Sequence, residues 1–271
     1  MLLSLLAARP TSLGSAAAWR SACRPVCSGV APSPIAESLA AIQAKVSEAS
    51  AAAGRSDVPR LVAVSKTKPV ELLREVYDAG VRDFGENYVQ ELVAKAPEMP
   101  DDVAWRFIGN LQSNKAKVLV QGVPSLTCVE TVDSVKLANK LQTAVAALVP
   151  PRTQPLGVMV QVNTSPWEGT KSGVPQEEAG ALARHIHEKC ADLALVGLMT
   201  IGAPGESSCF DTLADCRRSI ASDLGLASED ALELSMGMSG DFEVAIGKGS
   251  NSVRVGSSIF GARDYPAKQA S

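Results

Sequence analysis

The sequence predicts an α/β protein in which eight parallel strands and their helices form a single (β/α)8 TIM-type barrel. From residue 60 onward, short β-forming apolar runs alternate with amphipathic segments of helical period. Strands joined by helices are parallel, and eight such units in roughly 230 residues match the size of this barrel. No linker rich in proline, glycine and serine divides the body into two domains. A doubly wound open sheet is the competing fold.

An extra helix is predicted ahead of the first strand, over residues 35–53. Apolar residues stand at positions 35, 39, 42, 46, 49 and 53, which is the spacing of one helix face. Ser33 and Pro34 suit the N-cap and the first helical position, and Gly54 suits the end.

The alternating elements follow in order along the chain. The predicted strands are residues 61–65, 81–84, 105–108, 126–129, 157–162, 194–199, 231–235 and 252–255. The predicted helices are residues 70–79, 86–96, 112–121, 133–148, 175–189, 207–223 and 239–247.

The first 34 residues differ in composition from the rest of the chain. They contain Arg9, Arg20 and Arg24 and no acidic residue, and they are rich in alanine and serine. This composition is typical of an organelle transit peptide, which we expect to be disordered. We therefore expect import into a mitochondrion or plastid, with the cytoplasm as the alternative. The expected domains are a barrel over residues 35–265 and a tail over 266–271.

Composition excludes several classes of function. Hydrophobic residues make up 46% of the chain, which is enough for a large core, and the net charge of −3 argues against nucleic acid as a partner. No apolar run reaches the length of a membrane span. His185 and His187 are two apart on a predicted helix, and the cysteines show no CxxC pairing. A metal site or a Ser-His-Asp triad is therefore not expected.

Glycine and serine residues follow the last two predicted strands, over 237–240 and 256–258. In a barrel, functional groups lie at the carboxyl ends of the strands, and the loops after strands 7 and 8 commonly bind phosphate. Glycine lets the backbone approach an anion, and serine adds hydroxyl donors. The alternative is ordinary helix capping by serine beside turn glycines.

Two cations occupy positions in or next to predicted strands. Lys66 follows the first strand, and its amine near a phosphate site suits a Schiff base with a phosphorylated aldehyde. The alternative is a lysine that extends to solvent at a strand end. Lys68, beside a proline, is the weaker candidate. Arg254 lies inside the eighth strand, where it needs a partner such as Glu130, Glu233 or a bound ligand.

These residues fall within longer stretches that resemble a known family. The stretches are "LVAVSKTKP" (61–69), "FGENYVQE" (84–91), "WRFIGNLQSNK" (105–115), "KSG" (171–173), "GLM" (197–199), "LSMGMSGDFEVAI" (234–246) and "VRVGSSIFGARDY" (253–265). In this order, over residues 35–265, they resemble the pyridoxal phosphate homeostasis proteins, also called the YggS or PROSC family.

The resemblance implies a PLP fold-type III barrel, like the N-terminal domain of alanine racemase, that binds pyridoxal 5′-phosphate (PLP). The implied cofactor-binding residues are Lys66 as the covalent Schiff base, Asn87 beside the cofactor, Ser235, Ser239, Gly256 and Ser257 at the phosphate, and Arg254 facing the pyridine nitrogen. Arginine does not give up a proton, so it keeps that nitrogen unprotonated and the ring a weaker electron sink. The family commonly has histidine where this chain has Arg106, and threonine where it has Ser257.

The resemblance implies a PLP carrier without catalytic turnover that supplies the cofactor to PLP-requiring apoenzymes. An amino-acid racemase is the first alternative. Racemase relatives carry a second, β-rich domain with an opposing tyrosine, for which the 271 residues leave no room, and we therefore expect a monomeric carrier. The second alternative is an aldolase-like enzyme that uses Lys66, with Glu86 and Glu130 as candidate acid/base groups. We expect no catalytic residues, no metal, no nucleic-acid partner and no membrane span.

Overall fold

The structure, a computed structural model, describes residues 33–165 and 173–262. Within these ranges, eight strands form one closed barrel in the order β1 to β8. Each strand is parallel to the next, and β8 returns to β1 with Arg254 opposite Val62. The predicted barrel is confirmed, and the open-sheet alternative is wrong.

The elements alternate as the sequence predicts. The strands are β1 Arg60–Val64, β2 Asp83–Glu86, β3 Ala104–Phe107, β4 Leu126–Val132, β5 Leu156–Gln161, β6 Leu193–Met199, β7 Glu233–Met238 and β8 Ser252–Val255. The helices are α1 Pro34–Ala52, α2 Val70–Asp78, α3 Val89–Lys95, α4 Ala116–Gly122, α5 Val135–Ala146, α6 Gln176–Lys189, α7 Ser208–Asp223, α8 Phe242–Gly247 and α9 Ser257–Phe260.

The extra helix α1 forms where its apolar spacing predicts it. The Ser33 hydroxyl accepts a hydrogen bond from the Ala36 N–H (3.2 Å), and Pro34 occupies the first helical position. The helix packs against α2, α8 and α9. Because α9 has only 4 residues, α1 supplies the apolar cover that a full-length eighth barrel helix would give.

Three predicted strands differ from the structure by two residues or more at an end. The second spans 83–86 instead of 81–84, the fourth ends at Val132 instead of residue 129, and the seventh spans 233–238 instead of 231–235. Each true strand contains glycine or a carboxylate, which lowers β-propensity in the sequence, but pairing with neighbouring strands extends it. As a result, Ser235 lies in the middle of the seventh strand instead of at its end, and Glu130 lies inside the fourth strand instead of after it.

The apolar core lies between the strands and the surrounding helices, whereas the barrel interior contains charge. Leu61 and Ala63 of β1 belong to the same buried cluster as Leu73 of α2. In contrast, Ser235 of β7 contacts Glu130 of β4. These strands are not neighbours, so the two side chains meet across the interior, where other barrels carry branched apolar residues.

Some expectations lie outside the described residues. They are the transit peptide over residues 1–34, apart from 33 and 34, the domain end at 265, the tail over 266–271, and residues 171 and 172 of the "KSG" stretch. None of the helices in the described ranges has both the length and the apolar character to cross a membrane.

Candidate functional site

The carboxyl ends of the parallel strands form one mouth, and the turn after β1 presents Lys66 there. The Lys68 N–H donates to the Ser65 carbonyl (3.1 Å), which closes a four-residue turn with Lys66 and Thr67 at its centre. Lys66 is half-buried. The turn thus places Lys66 at the carboxyl end of β1, on the side of the barrel where the strand ends meet.

The neighbouring Lys68 contacts the backbone at the end of the last helix. The Lys68 ammonium is buried and donates to the backbone carbonyl of Ala262 (2.6 Å), just beyond α9. This bond fastens the turn after β1 to the end of the last helix. Lys68 is therefore bound to the backbone beyond α9, and Lys66 remains the predicted Schiff-base lysine.

The two glycine-serine turns meet beside β1. The Gly256 N–H donates to the Ser239 hydroxyl (3.3 Å), which joins the ends of β8 and β7. A Cβ on Gly256 would lie 3.2 Å from the Val64 carbonyl oxygen and 3.3 Å from its Cβ. A side chain at this position would need the Val64 backbone to shift by a few tenths of an ångström, so glycine favours this close approach, two residues before Lys66. Ser257 is exposed in the first turn of α9, where helical N–H groups have no partner within the helix.

Asn87 follows β2 and is fixed by a glycine on the neighbouring strand end. A Cβ on Gly109 would lie 2.0 Å from the Asn87 carbonyl oxygen, so these backbones touch. The Gly109 carbonyl accepts from the Thr131 hydroxyl (2.6 Å). The Asn87 side-chain oxygen is buried and has no hydrogen-bond partner among the described residues. A buried amide oxygen of this kind needs a partner, which a water molecule or a ligand group would supply.

Arg254 is 4% exposed and lies within the barrel interior. Its guanidinium donates to the Ser235 hydroxyl (2.7 Å) and to the Thr200 carbonyl (2.7 Å). Ser235 in turn donates to Glu130 (2.5 Å). The predicted partnership of Arg254 with Glu130 therefore runs through Ser235. This serine hydroxyl is directed inward, unlike Ser239 and Ser257 in the turns.

Arg106 also faces the interior and takes the other oxygen of Glu130, at 2.5 Å from its Nε. Asp83 and Glu233 lie 3.7 Å and 4.0 Å from its Nη atoms. Arg60 completes the group, 2.6 Å from Glu233 and 3.4 Å from Asp83. With Arg254, the interior cluster contains three guanidinium groups and three carboxylates, so its formal charge is balanced.

The interior cluster shifts the pKa values of its members. Burial alone would raise the pKa of Glu130, but Arg106, Arg254 and the Ser235 hydroxyl hold it below its ordinary value. Burial raises the pKa of Asp83, against the opposing effect of Arg60 and Arg106. Burial also raises the pKa of the Cys128 thiol to about 12. Glu130 is therefore the carboxylate that stays charged most firmly.

A second buried network lies behind the Lys66 turn and was missed in the sequence. Lys95 of α3 donates to the Ser65 carbonyl (2.8 Å), to Glu86 (2.8 Å) and to Glu91 (2.6 Å). The Ser65 hydroxyl donates to Glu86 (2.7 Å), and the Thr67 N–H donates to Glu91 (2.5 Å). The four-residue spacing of Glu91 and Lys95 is the one signal in the sequence that points to part of this network.

Two further observations concern acid/base chemistry and metal binding at the site. Burial raises the pKa of Glu86, although Lys95 and Ser65 oppose the change. No group of three or more histidine, cysteine or acidic side chains within residues 33–165 and 173–262 has the arrangement of a metal site.

Comparison with known proteins defines the family. Residues 38–264 match the family described as "Alanine racemase, N-terminal domain". The chain is 48% identical over 221 residues to the pyridoxal phosphate homeostasis protein of Bos taurus, covering 78% of this chain and 79% of that protein. Its counterpart in Escherichia coli is 40% identical over 241 residues, covering 86% and 99%.

The chain belongs to the pyridoxal phosphate homeostasis protein family. A solved member of this family, PipY of Synechococcus elongatus with PLP bound, superimposes with a TM-score of 0.69 at 30% identity, covering 84% of this chain and 100% of that chain. An alanine racemase of Clostridium difficile shares the fold alone, with a TM-score of 0.63 at 16% identity, and the match covers 57% of its length.

Proposed function

We propose that this protein binds PLP at the barrel mouth and acts in intracellular PLP homeostasis without catalytic turnover. One observation carries the proposal: the Lys66 turn lies directly beside the junction of the two glycine-serine turns, where Gly256 contacts Val64. A primary amine and an anion-binding loop are thus adjacent. The names of the relatives and the PLP bound to PipY support the same ligand.

The residues at the mouth fit the chemical groups of PLP. Gly256 lets the backbone approach a phosphate, and Ser239 and Ser257 offer hydroxyl groups at the same turns. Asn87 has a buried amide with an oxygen that lacks a partner among the described residues, and a ring hydroxyl supplies one. Ser235 remains a predicted cofactor-binding residue, but its hydroxyl contacts support a role in holding Arg254.

When bound, PLP supplies an aldehyde that a primary amine converts to a Schiff base with loss of water. The chain's own contribution is to hold the Lys66 amine in reach and to present a permanent cation in Arg254. Burial lowers the pKa of Arg254, yet an arginine stays protonated at neutral pH. Its guanidinium has five donors, so it can bind Ser235 and Thr200 and still donate to a ring nitrogen. An unprotonated ring nitrogen disfavours carbanion chemistry.

The burial of the two candidate carboxylates also argues against an aldolase-like reaction. An aldolase-like reaction would need acid/base carboxylates, and Glu86 and Glu130 are the candidates in the sequence. Both are fully buried, and each is bound to a cation, Lys95 for Glu86 and Arg106 for Glu130. A carboxylate held in this way is poorly suited to exchange protons with a substrate.

The proposal predicts a visible absorbance band that borohydride abolishes, with the reduced adduct on Lys66 by peptide mass spectrometry. Lys66→Ala removes the adduct. Lys68→Ala is the matched control and keeps it, because the Lys68 amine is bonded to the Ala262 carbonyl. A wild-type protein that stays colourless when PLP is added would refute the proposal.

The remaining alternative, racemisation, is tested by exchange. PLP-loaded protein is incubated with amino acids in deuterated buffer, and the α-proton is followed by NMR. We expect no exchange above that caused by free PLP. Exchange that depends on Lys66 would show turnover and would replace the carrier proposal with a racemase.

We further propose that the protein is a monomer that passes PLP to apoenzymes, and that residues 1–34 direct it to a mitochondrion or plastid. The basic, acid-free composition of that segment supports this subcellular location. Sedimentation gives the mass, and reactivation of an apoenzyme by PLP-loaded protein tests transfer. Residues 1–34 fused to a fluorescent protein test the location, and a diffuse cytoplasmic signal would contradict it.

A further inference from the structure

The residue that follows Lys66 has a backbone conformation that its side chain opposes. Thr67 has φ +61°, and it is the one non-glycine residue with positive φ in the described part of the chain. It occupies the third position of the Ser65–Lys68 turn, where a positive φ normally requires glycine. For a β-branched residue this conformation is a genuine outlier, so other contacts must hold it.

The contact that holds Thr67 comes from α3. The Thr67 N–H donates to the Glu91 carboxylate (2.5 Å), and the same oxygen accepts from Lys95 (2.6 Å). Lys95 is 7% exposed and also donates to the Ser65 carbonyl (2.8 Å). The residues immediately before and after Lys66 are therefore both bound, through charge-assisted hydrogen bonds, to one ion pair, in which Lys95 is buried and Glu91 is half-buried.

Glu86 anchors this ion pair to the barrel wall. Its Oε1 accepts from both Lys95 (2.8 Å) and the Ser65 hydroxyl (2.7 Å), and the residue is fully buried at the end of β2. The ion pair is therefore tied to β1 and β2 at once. Motion of α3 or of the turn breaks bonds to buried charged groups, which is costly.

We propose that Glu91 and Lys95 are positioning residues for Lys66. They hold Thr67 in the left-handed conformation, and the turn then presents the Lys66 side chain at the mouth before any ligand arrives. The inference rests on the proposed function only in naming PLP as the ligand. Without Glu91, Thr67 returns to negative φ in part of the molecules, and only the remaining fraction binds PLP with full affinity.

The test combines Glu91→Ala with Thr67→Gly in the full chain. Strain at Thr67 predicts that Glu91→Ala weakens PLP affinity about tenfold. Glycine adopts positive φ without help, so the double variant recovers to within about threefold of wild type. Glu71, exposed in the first turn of α2, is the matched control, because Glu71→Ala removes a first-turn acid without touching the Lys66 turn. We expect it to bind as wild type does.

Two results would overturn the inference. One is Glu91→Ala protein with wild-type affinity for PLP. The other is a loss of affinity that Thr67→Gly does not restore, which would mean that Glu91 acts through helix stability or charge alone. If Glu91→Ala does not fold, Glu91→Gln, which keeps an oxygen but loses the ion pair, replaces it in the same comparison.

A measurement without ligand separates this inference from the proposed function. In urea unfolding of PLP-free protein, the lowering of the midpoint by Glu91→Ala is larger when residue 67 is glycine, because threonine offsets part of the lost bond by relaxing to negative φ, whereas glycine has no strain to release. Equal lowering in both backgrounds contradicts the inference even if PLP binds. If no variant, including wild type, binds PLP, the proposed function fails, and the urea comparison still decides the positioning role.

Discussion

Replacing Glu130 with glutamine removes one charge from the interior cluster at almost constant shape. Glu130 is fully buried, and its two oxygens bind the Arg106 Nε (2.5 Å) and the Ser235 hydroxyl (2.5 Å). The cluster of three guanidinium groups and three carboxylates would become three against two. Asp83 and Glu233 lie 3.7 Å and 4.0 Å from Arg106, too far to replace the lost contact.

The expected loss in the free energy of unfolding follows from the burial of Glu130. Removing one partner of a buried ion pair typically costs about 3–5 kcal/mol, since the other charge remains without compensation. We expect Glu130→Gln to lower the free energy of unfolding by that amount. The assay is urea unfolding at neutral pH, with an unchanged m-value as the condition for comparing midpoints.

The double variant Arg106→Met/Glu130→Met is the control for uncompensated charge. Replacing both partners with apolar side chains is often nearly neutral, so the double variant should be more stable than Glu130→Gln. A loss below about 1 kcal/mol for Glu130→Gln would refute the reasoning, because a loss of that size is typical of an exposed ion pair. A double variant less stable than the single one would show that Arg254 depends on Glu130 more than Arg106 does.

Three further outcomes are expected. Gly109→Ala should cost about 1–3 kcal/mol and weaken PLP binding, because a Cβ would lie 2.0 Å from the Asn87 carbonyl oxygen. The pKa of Glu130 is lowered by folding, so its stabilising effect is present above its ordinary pKa and is lost as pH falls through the lower folded value. The stability difference between wild type and Glu130→Gln should therefore shrink in acid. Burial raises the pKa of both the Cys216 and the Cys128 thiols, that of Cys128 to about 12, so in peptide-resolved alkylation of native protein at pH 8 the half-buried Cys216 should react before the buried Cys128.

Each of these outcomes has a control. Gly247→Ala places a methyl group in open space and should change neither stability nor PLP affinity. If it is as harmful as Gly109→Ala, the close approach to Asn87 is not the cause. A stability difference at Glu130 that stays constant down to low pH would contradict its lowered pKa. For the thiols, unfolding in urea should abolish the order of reaction between the two cysteines.

Much of the fold and part of the candidate site could be predicted from the sequence. Apolar periodicity gave the helices and strands in order, and their alternation implied the parallel barrel. Given a barrel, the polar residues at strand ends had to share one mouth, so Lys66, Asn87, Ser239, Gly256 and Ser257 were predictable as neighbours. The family resemblance then indicated PLP as the ligand.

Tertiary structure alone decided which polar groups are partners. Ser235 was predicted as the last residue of its strand, but β7 continues to Met238, and the Ser235 hydroxyl joins Arg254 to Glu130 across the interior. Arg106, which stands where the family commonly has histidine, is a member of the interior cluster. The bond from Thr67 to Glu91 spans 24 positions in the sequence, and the bond from Ser235 to Glu130 spans 105. The apolar periodicity of helices and strands can be read from the local sequence, because it depends on residues that are close together in the chain. Closure of the barrel decides which buried charges meet across it, because burial forces each one to find a partner among side chains distant in the sequence.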